Sequence, residues 1–418
     1  MESDVRKKKK NRIEIGLIDE TQENKEVDVL CITNKGMEDI CRDEIQRIVV
    51  AKDSTVVSPE SSIKIVDGAV RLSLPLHDAL GIGYATRSAT RVMAVCWSGN
   101  AKILFETFSE INVSWNLWIG KDVTFSVVVD KDVSEPTSPE ITKLIANCIR
   151  SNAQGVHEYT AGKVVVLVYI RNGNAHVGID LVSFDLGRRN YRVFLGTSSL
   201  RGNIAYALVQ LSEFSKEMTL IDPHCKHGII PIEAALVACN ASPQYYAKSL
   251  FGFRNLLPCA GFDTDALFSE WDKSAAFDTA TKITALDVNF SLVQASRKNS
   301  QLAGVVKNIA FSRKEVEWLD LKFGKNTVDC VVTYPFQLSQ HKSESGFRRL
   351  CKDFFSQCAF ILNVKGHVVI IMRQGHDIVK KEAIQAGFLC THERSIWQGQ
   401  EELPVLVFVK DKMKKIEL

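Results

Sequence analysis

The chain has 418 residues, 45% of them hydrophobic and 24% charged, with a formal net charge of +3. This length and balance suit two or three globular domains with sizeable cores and exclude a disordered scaffold. No apolar stretch reaches the ~20 residues of a membrane span, the N-terminus is charged where a signal peptide turns apolar, and a charge so near zero gives no global field for nucleic acid. An intracellular, cytoplasmic protein without a membrane partner is expected, and any RNA-binding surface must be local.

Residues 1–26 carry Arg6, Lys7, Lys8, Lys9, Lys10 and Arg12 and read as a basic flexible tail of the kind that contacts phosphates, directs nuclear import or is simply solvated. Over 27–100, a strand from Val27 to Thr33 leads through Gly36-Met37-Glu38 into a helix bearing Ile40, Ile45 and Ile48. Short strands flank the turn Asp67-Gly68, a helix covers His77 to Arg87, and a strand covers Arg91 to Ser98. This β-α-β-β-α-β order is that of a small ferredoxin-like module. A second α/β unit, 101–183, has a helix from Lys102, a strand from Asp122, a helix opening at Ser138-Pro139, and two strands joined at Asn172-Gly173.

Residues 184–200 hold Asp185-Leu186-Gly187-Arg188-Arg189-Asn190-Tyr191-Arg192, an arginine-rich linker without periodicity. From 201 to 412 strands and helices alternate as in a parallel, Rossmann-like sheet, with strands expected at Met218 to Ile221, Ile283 to Leu286, Asn308 to Phe311, Cys330 to Thr333, His367 to Met372 and Val405 to Val409. Residues 413–418 are a tail. Eleven cysteines, scattered and never C-x-x-C, are expected to be buried small hydrophobes, and nine histidines form no ligand spacing, so no metal is expected.

The most telling stretch is Asp222-Pro223-His224-Cys225-Lys226-His227-Gly228, which follows an apolar strand and opens a helix, where a doubly wound sheet binds a nucleotide-like cofactor. The order of modules, the Leu186 to Arg192 joint, and this loop together resemble the THUMP-containing RNA methyltransferases that modify guanine N2. Gly36-Met37-Glu38, Arg87 with Ala89 to Val92, Ser199-Leu200-Arg201 with Ala205, and Phe251-Gly252-Phe253 with Trp271 downstream are similar to that family's motifs in the same order. The resemblance implies an α/β chain with a ferredoxin-like module, a THUMP module and a class I methyltransferase domain. It further implies S-adenosyl-L-methionine as cofactor and structured RNA, foremost tRNA, as partner, with room for a small activator protein.

Carried over by residue, the resemblance places the cofactor at Asp222, Pro223, Cys225 and Gly228, its ribose at Asp287 with Val288 beside it, and its adenine at Glu315-Val316. The base pocket falls on Thr333-Tyr334-Pro335-Phe336, where the family has N-P-P-Y or D-x-P-[FY]. Two positions depart from the pattern. Lys226 stands where the family has a glycine that supplies positive φ or room for the ligand, and Thr333 or Tyr334 stands where an amide or carboxylate should accept from the guanine amino group. Lys226 or His227 could instead neutralise the cofactor's carboxylate. Arg188, Arg189, Arg192 and Arg201 are candidate phosphate contacts or linker anchors, with Lys143, Arg150 and Lys163 as weaker candidates. Three readings stay open: an active RNA methyltransferase, a non-catalytic RNA-binding protein or partner subunit on the same fold, and an unrelated small-molecule enzyme.

Overall fold

The computed structural model describes residues 25–51, 63–107, 113–153, 156–157, 161–196, 199–335 and 343–410. The expected tails and Phe336 lie outside these residues, apart from positions 25 and 26.

The N-terminal half is built on β1 (Glu26–Ile32), α1 (Glu38–Ala51), β2 (Lys64–Val66), β3 (Ala69–Pro75), α2 (Leu76–Ala85) and β4 (Arg91–Asn100). Strand order β2-β3-β1-β4, antiparallel throughout, is the ferredoxin-like arrangement. There follow α3 (Ala101–Thr107), β5 (Thr124–Lys131), α4 (Ser138–Ala153), β6 (Val156–His157), β7 (Val164–Arg171) and β8 (Asn174–Asp180). Helix α4 buries Ile141, Ile145, Cys148 and Ile149, one stripe of an amphipathic helix. The sequence suggested two separate units, yet β4 pairs with β8 from Met93↔Asp180 to Asn100↔Asn174. The result is one eight-stranded sheet.

The C-terminal half comprises α5 (Gly202–Leu211), β9 (Thr219–Asp222), α6 (Ile229–Ala238), α7 (Thr264–Asp272), β10 (Lys282–Asp287), α8 (Phe290–Leu302), β11 (Ile309–Arg313), β12 (Val328–Thr333), α9 (Glu344–Ile361), β13 (Leu362–Ile371), α10 (His376–Gln385), β14 (Phe388–Gln398) and β15 (Glu401–Lys410). Its sheet runs β11-β10-β9-β12-β13-β15-β14, parallel except for the last two strands. The order reverses between β9 and β12, and a ligand crevice opens at the carboxyl ends of strands at such a switch point. Strand β14 was missed in the sequence because its Thr391-His392-Glu393-Arg394 run is polar. It is an edge strand with a bulge between Cys390 and His392.

The halves interpenetrate. Met37 and Ile40 of the N-terminal half belong to the core of the C-terminal sheet, while Phe251, Phe253, Leu267 and Phe268 from 201–412 complete the N-terminal core. This explains two motifs that the sequence marked without a reason. Gly36 has φ +86° and lies against the Ser395 carbonyl, so closely that a Cβ would collide with that backbone. Beside it Arg394 forks onto Asp39 at 2.7 Å. All eleven cysteines are unbonded thiols and nine are buried. Among the described residues no helix is long and apolar enough to cross a membrane, and no group of three or more His, Cys, Asp or Glu could hold a metal ion.

Candidate functional site: a cofactor cleft and the joint behind it

Helix α6 is apolar nearly all round (Ile-Ile-Pro-Ile-Glu-Ala-Ala-Leu-Val-Ala) and is therefore buried between the sheet and its neighbours. Its burial fixes the loop Pro223 to Gly228 over the ends of β9 and β10. Gly228 caps the helix at φ +82°, and a Cβ there would sit 2.1 Å from Ser296 Oγ, so glycine is required. Its amide does not face the cofactor that the resemblance places at Gly228, because the Gly228 N–H donates to the Cys225 carbonyl at 2.7 Å.

Asp222 ends β9 and is 1% exposed. Burial pushes its carboxyl up to about 7, while hydrogen bonds from the Thr333 hydroxyl and the His224 amide act in the other direction. The Thr333 hydroxyl donates to Asp222 Oδ1 at 2.7 Å, and the His224 N–H donates to the same oxygen at 3.1 Å. Thr333 is wholly buried. It points into the molecule and presents nothing to a substrate base. Pro223 and Pro335 are buried, and Cys225, 4% exposed, has its thiol pushed well up by burial. It is a packed small hydrophobe.

Lys226 adopts φ +49°, the left-handed conformation its glycine-like position demands. Its side chain stays inside. The ammonium lies 3.5 Å from the centroid of the Tyr334 ring, a close cation–π contact, and burial pulls its pKa down to about 8. Tyr334 is 4% exposed. The space left among Ser199, Leu200, Asp222, His224, Lys226 and Tyr334 is about 20 Å³. That is room for about one water, against ~300–1,000 Å³ in a typical small-molecule pocket. With the Lys226 side chain inside, this space is smaller than the methionine end of S-adenosylmethionine. Arg373, two residues beyond β13, pairs with Glu401, and its positive charge adds to the lowering of the Lys226 pKa. It went unnoticed in the sequence because no motif flags it, although it too stands at a strand's carboxyl end.

The ribose end is different. Asp287 ends β10 and is held by two amides, Asn289 N–H to Oδ1 at 2.9 Å and Lys226 N–H to Oδ2 at 3.0 Å. Val288 beside it is half exposed, Glu315 at the end of β11 is exposed, and Val316 is buried.

The arginines of the joint separate sharply. Arg189 is not on the surface. Its guanidinium pairs with Glu233 of α6 (Nε to Oε1 2.7 Å, Nη2 to Oε2 3.2 Å) and donates to the carbonyls of Leu186 and Arg87 at 2.8 and 2.6 Å. Tyr191 adds its hydroxyl to Glu233 at 2.6 Å. All three guanidinium nitrogens donate inward and the side chain is fully buried, so Arg189 offers no phosphate contact. Arg201 pairs with Asp185, and Arg192 donates to the Arg188 carbonyl at 3.1 Å and to Ser199 at 3.3 Å. Both act as linker anchors. Arg188 alone of the four is 82% exposed at its side chain, and Lys143, Arg150 and Lys163 are exposed as well.

With that geometry in place, the chain can be set beside known proteins. Residues 189–397, half of the chain, match the family model described as UPF0020, RMKL-like, methyltransferase domain. The chain belongs to this methyltransferase family. A curated tRNA (guanine(6)-N2)-methyltransferase from Methanocaldococcus jannaschii is 25% identical over 304 residues, 65% of this chain and 72% of that one. The ribosomal RNA large subunit methyltransferase K/L of Aliivibrio fischeri is 24% identical over 355 residues, 79% of this chain but 48% of that one. Among solved structures, SMU.472 complexed with SAH superposes with a TM-score of 0.74 at 17% identity, covering 93% of this chain and 99% of that one. The Rossmann-like class I fold is thus shared along with the N-terminal half. The two curated relatives are RNA methyltransferases.

Proposed function

We propose that this protein is an RNA-binding member of the methyltransferase family that no longer transfers a methyl group, its S-adenosylmethionine site being closed by its own Lys226. One observation carries the reading: the Lys226 ammonium lies on Tyr334, leaving about 20 Å³ where the amino-acid end of the cofactor would go. A second agrees with it. The position that should accept from a guanine amino group is filled by Thr333, already bonded to Asp222, and by Tyr334, already covered by Lys226. Neither supplies the amide or carboxylate such a transfer needs, and losing one well-placed group of this kind typically costs ~10²- to 10⁴-fold in rate.

On this reading residues 27–100 and 101–183 act as a ferredoxin-like and a THUMP module that hold a structured RNA by shape and phosphate contacts. The tRNA enzyme among the relatives supports tRNA as the first RNA to try. Arg188 is the joint's contribution to that surface. The competing reading, an active guanine-N2 methyltransferase, draws on Asp222, Gly228 and Asp287 standing at their expected strand and helix ends. It requires Lys226 to leave the cleft.

The test uses the full-length protein with total tRNA. Gel shift should show binding that weakens with salt, and incubation with S-adenosylmethionine labelled in its methyl group should give no incorporation above a protein-free control. Incorporation that depends on the protein would overturn the proposal, and so would failure to retain any structured RNA.

A further inference from the structure

The joint carries a feature that a linker does not need. Resting on the reading of this protein as an RNA binder, we infer that the joint segment Val193 to Leu195 and the carboxyl end of α8 form a strip for an unpaired stretch of RNA, its bases stacking on Phe194 and Tyr246 and its phosphates meeting Lys298 and Arg188.

Val193, Phe194 and Leu195 are three consecutive apolar residues, all exposed, and the hydrophobic effect alone would turn such a run inward. Here the backbone is pinned. The Asn299 side chain of α8, wholly buried, accepts from the Val193 N–H at 3.3 Å and the Phe194 N–H at 3.0 Å, and donates to the carbonyls of Phe194 and His227 at 2.9 Å each. All four hydrogen-bonding positions of one buried amide are thus used, and the exposed segment is fixed before any partner arrives. The strip continues along the helix. Leu302 is exposed, and Tyr246, 66% exposed, lies against Gly304, where a Cβ would come within 2.6 Å of its ring.

An exposed apolar patch held in place marks a contact surface, and the charges around this one select the partner. Consecutive cations of α8 lie on rings: Lys298 Nζ is 4.9 Å from the Phe194 centroid, and the Arg297 guanidinium carbon is 4.9 Å from that of Phe311. From Val288 to Lys314 the chain has Arg297, Lys298, Lys307, Arg313 and Lys314 and no Asp or Glu. From Leu186 to Ser212 it has Arg188, Arg189, Arg192 and Arg201, again without an acid. In a chain whose net charge is only +3, this is the local positive field that a polyanion requires. The centre of a protein–protein interface is depleted of charge, whereas here a lysine stands between the rings. A duplex keeps its bases inside, but an unpaired strand offers flat faces to aromatic side chains and phosphates to the cations beside them.

Fluorescence anisotropy on the full-length protein tests this, with labelled single-stranded oligouridine and a blunt RNA duplex of the same length as probes and a gel shift with total tRNA alongside. Phe194→Ala and Tyr246→Ala should each weaken oligouridine binding about tenfold and leave duplex binding within about twofold. Phe194→Trp, which keeps a ring, should bind oligouridine as the unmodified protein does, an outcome that a structural role for Phe194 does not require. Lys298→Ala should lower the slope of log affinity against log salt for the single strand by about 0.7. Oligouridine binding that is absent from the unmodified protein, or indifferent to both alanine substitutions, overturns the inference, and so does an equal loss on single strand and duplex. If tRNA is still shifted in those cases, the proposed function stands. Retention of no RNA at all overturns both.

Discussion

Two buried charge clusters lie along α6, one at its N-terminal entry and one at mid-helix, and they solve the same problem differently. At the joint, Arg189 and Glu233 are fully buried, but the guanidinium has four acceptor contacts and the carboxylate receives three hydrogen bonds. In the cleft, burial pulls Asp222 and Lys226 toward their neutral forms, up to about 7 and down to about 8, and the attraction between their opposite charges offsets only part of it. Desolvation is compensated at the joint and left partly uncompensated in the cleft. The joint therefore ties the halves together, and the cleft keeps desolvated charges of the kind that cluster at functional sites.

Breaking the joint should have the largest effect. Arg189→Met leaves Glu233 buried without its cation and should cost about 3–5 kcal/mol in urea denaturation. The pair replacement Arg189→Met with Glu233→Leu should recover much of that loss, since it removes the stranded charge. If the single and double variants were equally unstable, the pair would not be the source of the effect.

The sequence made much of this fold legible because its signals are periodic or conformational. The amphipathic stripe of α4, the hairpin turn Asn172-Gly173 and the strand ends at Asp222 and Asp287 all come from local chemistry, and each lies within a few residues of its expected place. What the sequence hid depends on distant partners. Nothing in the run Arg188-Arg189 tells which guanidinium meets Glu233, 44 residues away, and which meets water. Likewise Lys226 reads as a misplaced residue until the structure places its ammonium on a ring 108 positions later in the chain, at Tyr334. The single-sheet union of the two N-terminal units was equally hidden, since strand pairing across 80 residues leaves no local trace.

The cleft's imbalance should appear as a pH dependence with two limbs. The carboxyl of Asp222 is raised from its ordinary value near 4 to about 7, so its contribution to stability is present in acid and is lost as pH rises through that window. The slope is about 1.4 kcal/mol per pH unit while it lasts. For Lys226, lowered to about 8, the penalty is present below 8 and is relieved as pH rises toward its ordinary value near 10.4. A plot of melting temperature against pH should therefore dip between about 7 and 8. Asp222→Asn should flatten the acid limb and Lys226→Met the alkaline one, with the joint variants leaving both limbs in place. A dip that survives both substitutions would place the imbalance elsewhere.

The smallest expected effect separates neighbouring arginines. Arg188 is 82% exposed at its side chain and its nearest acid, Asp185, is 3.7 Å away, a surface pair worth little. Arg188→Ala should change stability by less than about 0.5 kcal/mol, whereas one residue on, Arg189→Met destabilises the whole protein. On RNA the ranking reverses. If the Arg188 guanidinium neutralises one phosphate, its removal should weaken binding to every structured RNA alike and lower the slope of log affinity against log salt by about 1. Lys143→Ala and Arg150→Ala, exposed on α4, supply the comparison. A slope that falls with these and not with Arg188→Ala would move the phosphate track away from the joint and onto the eight-stranded sheet's helices.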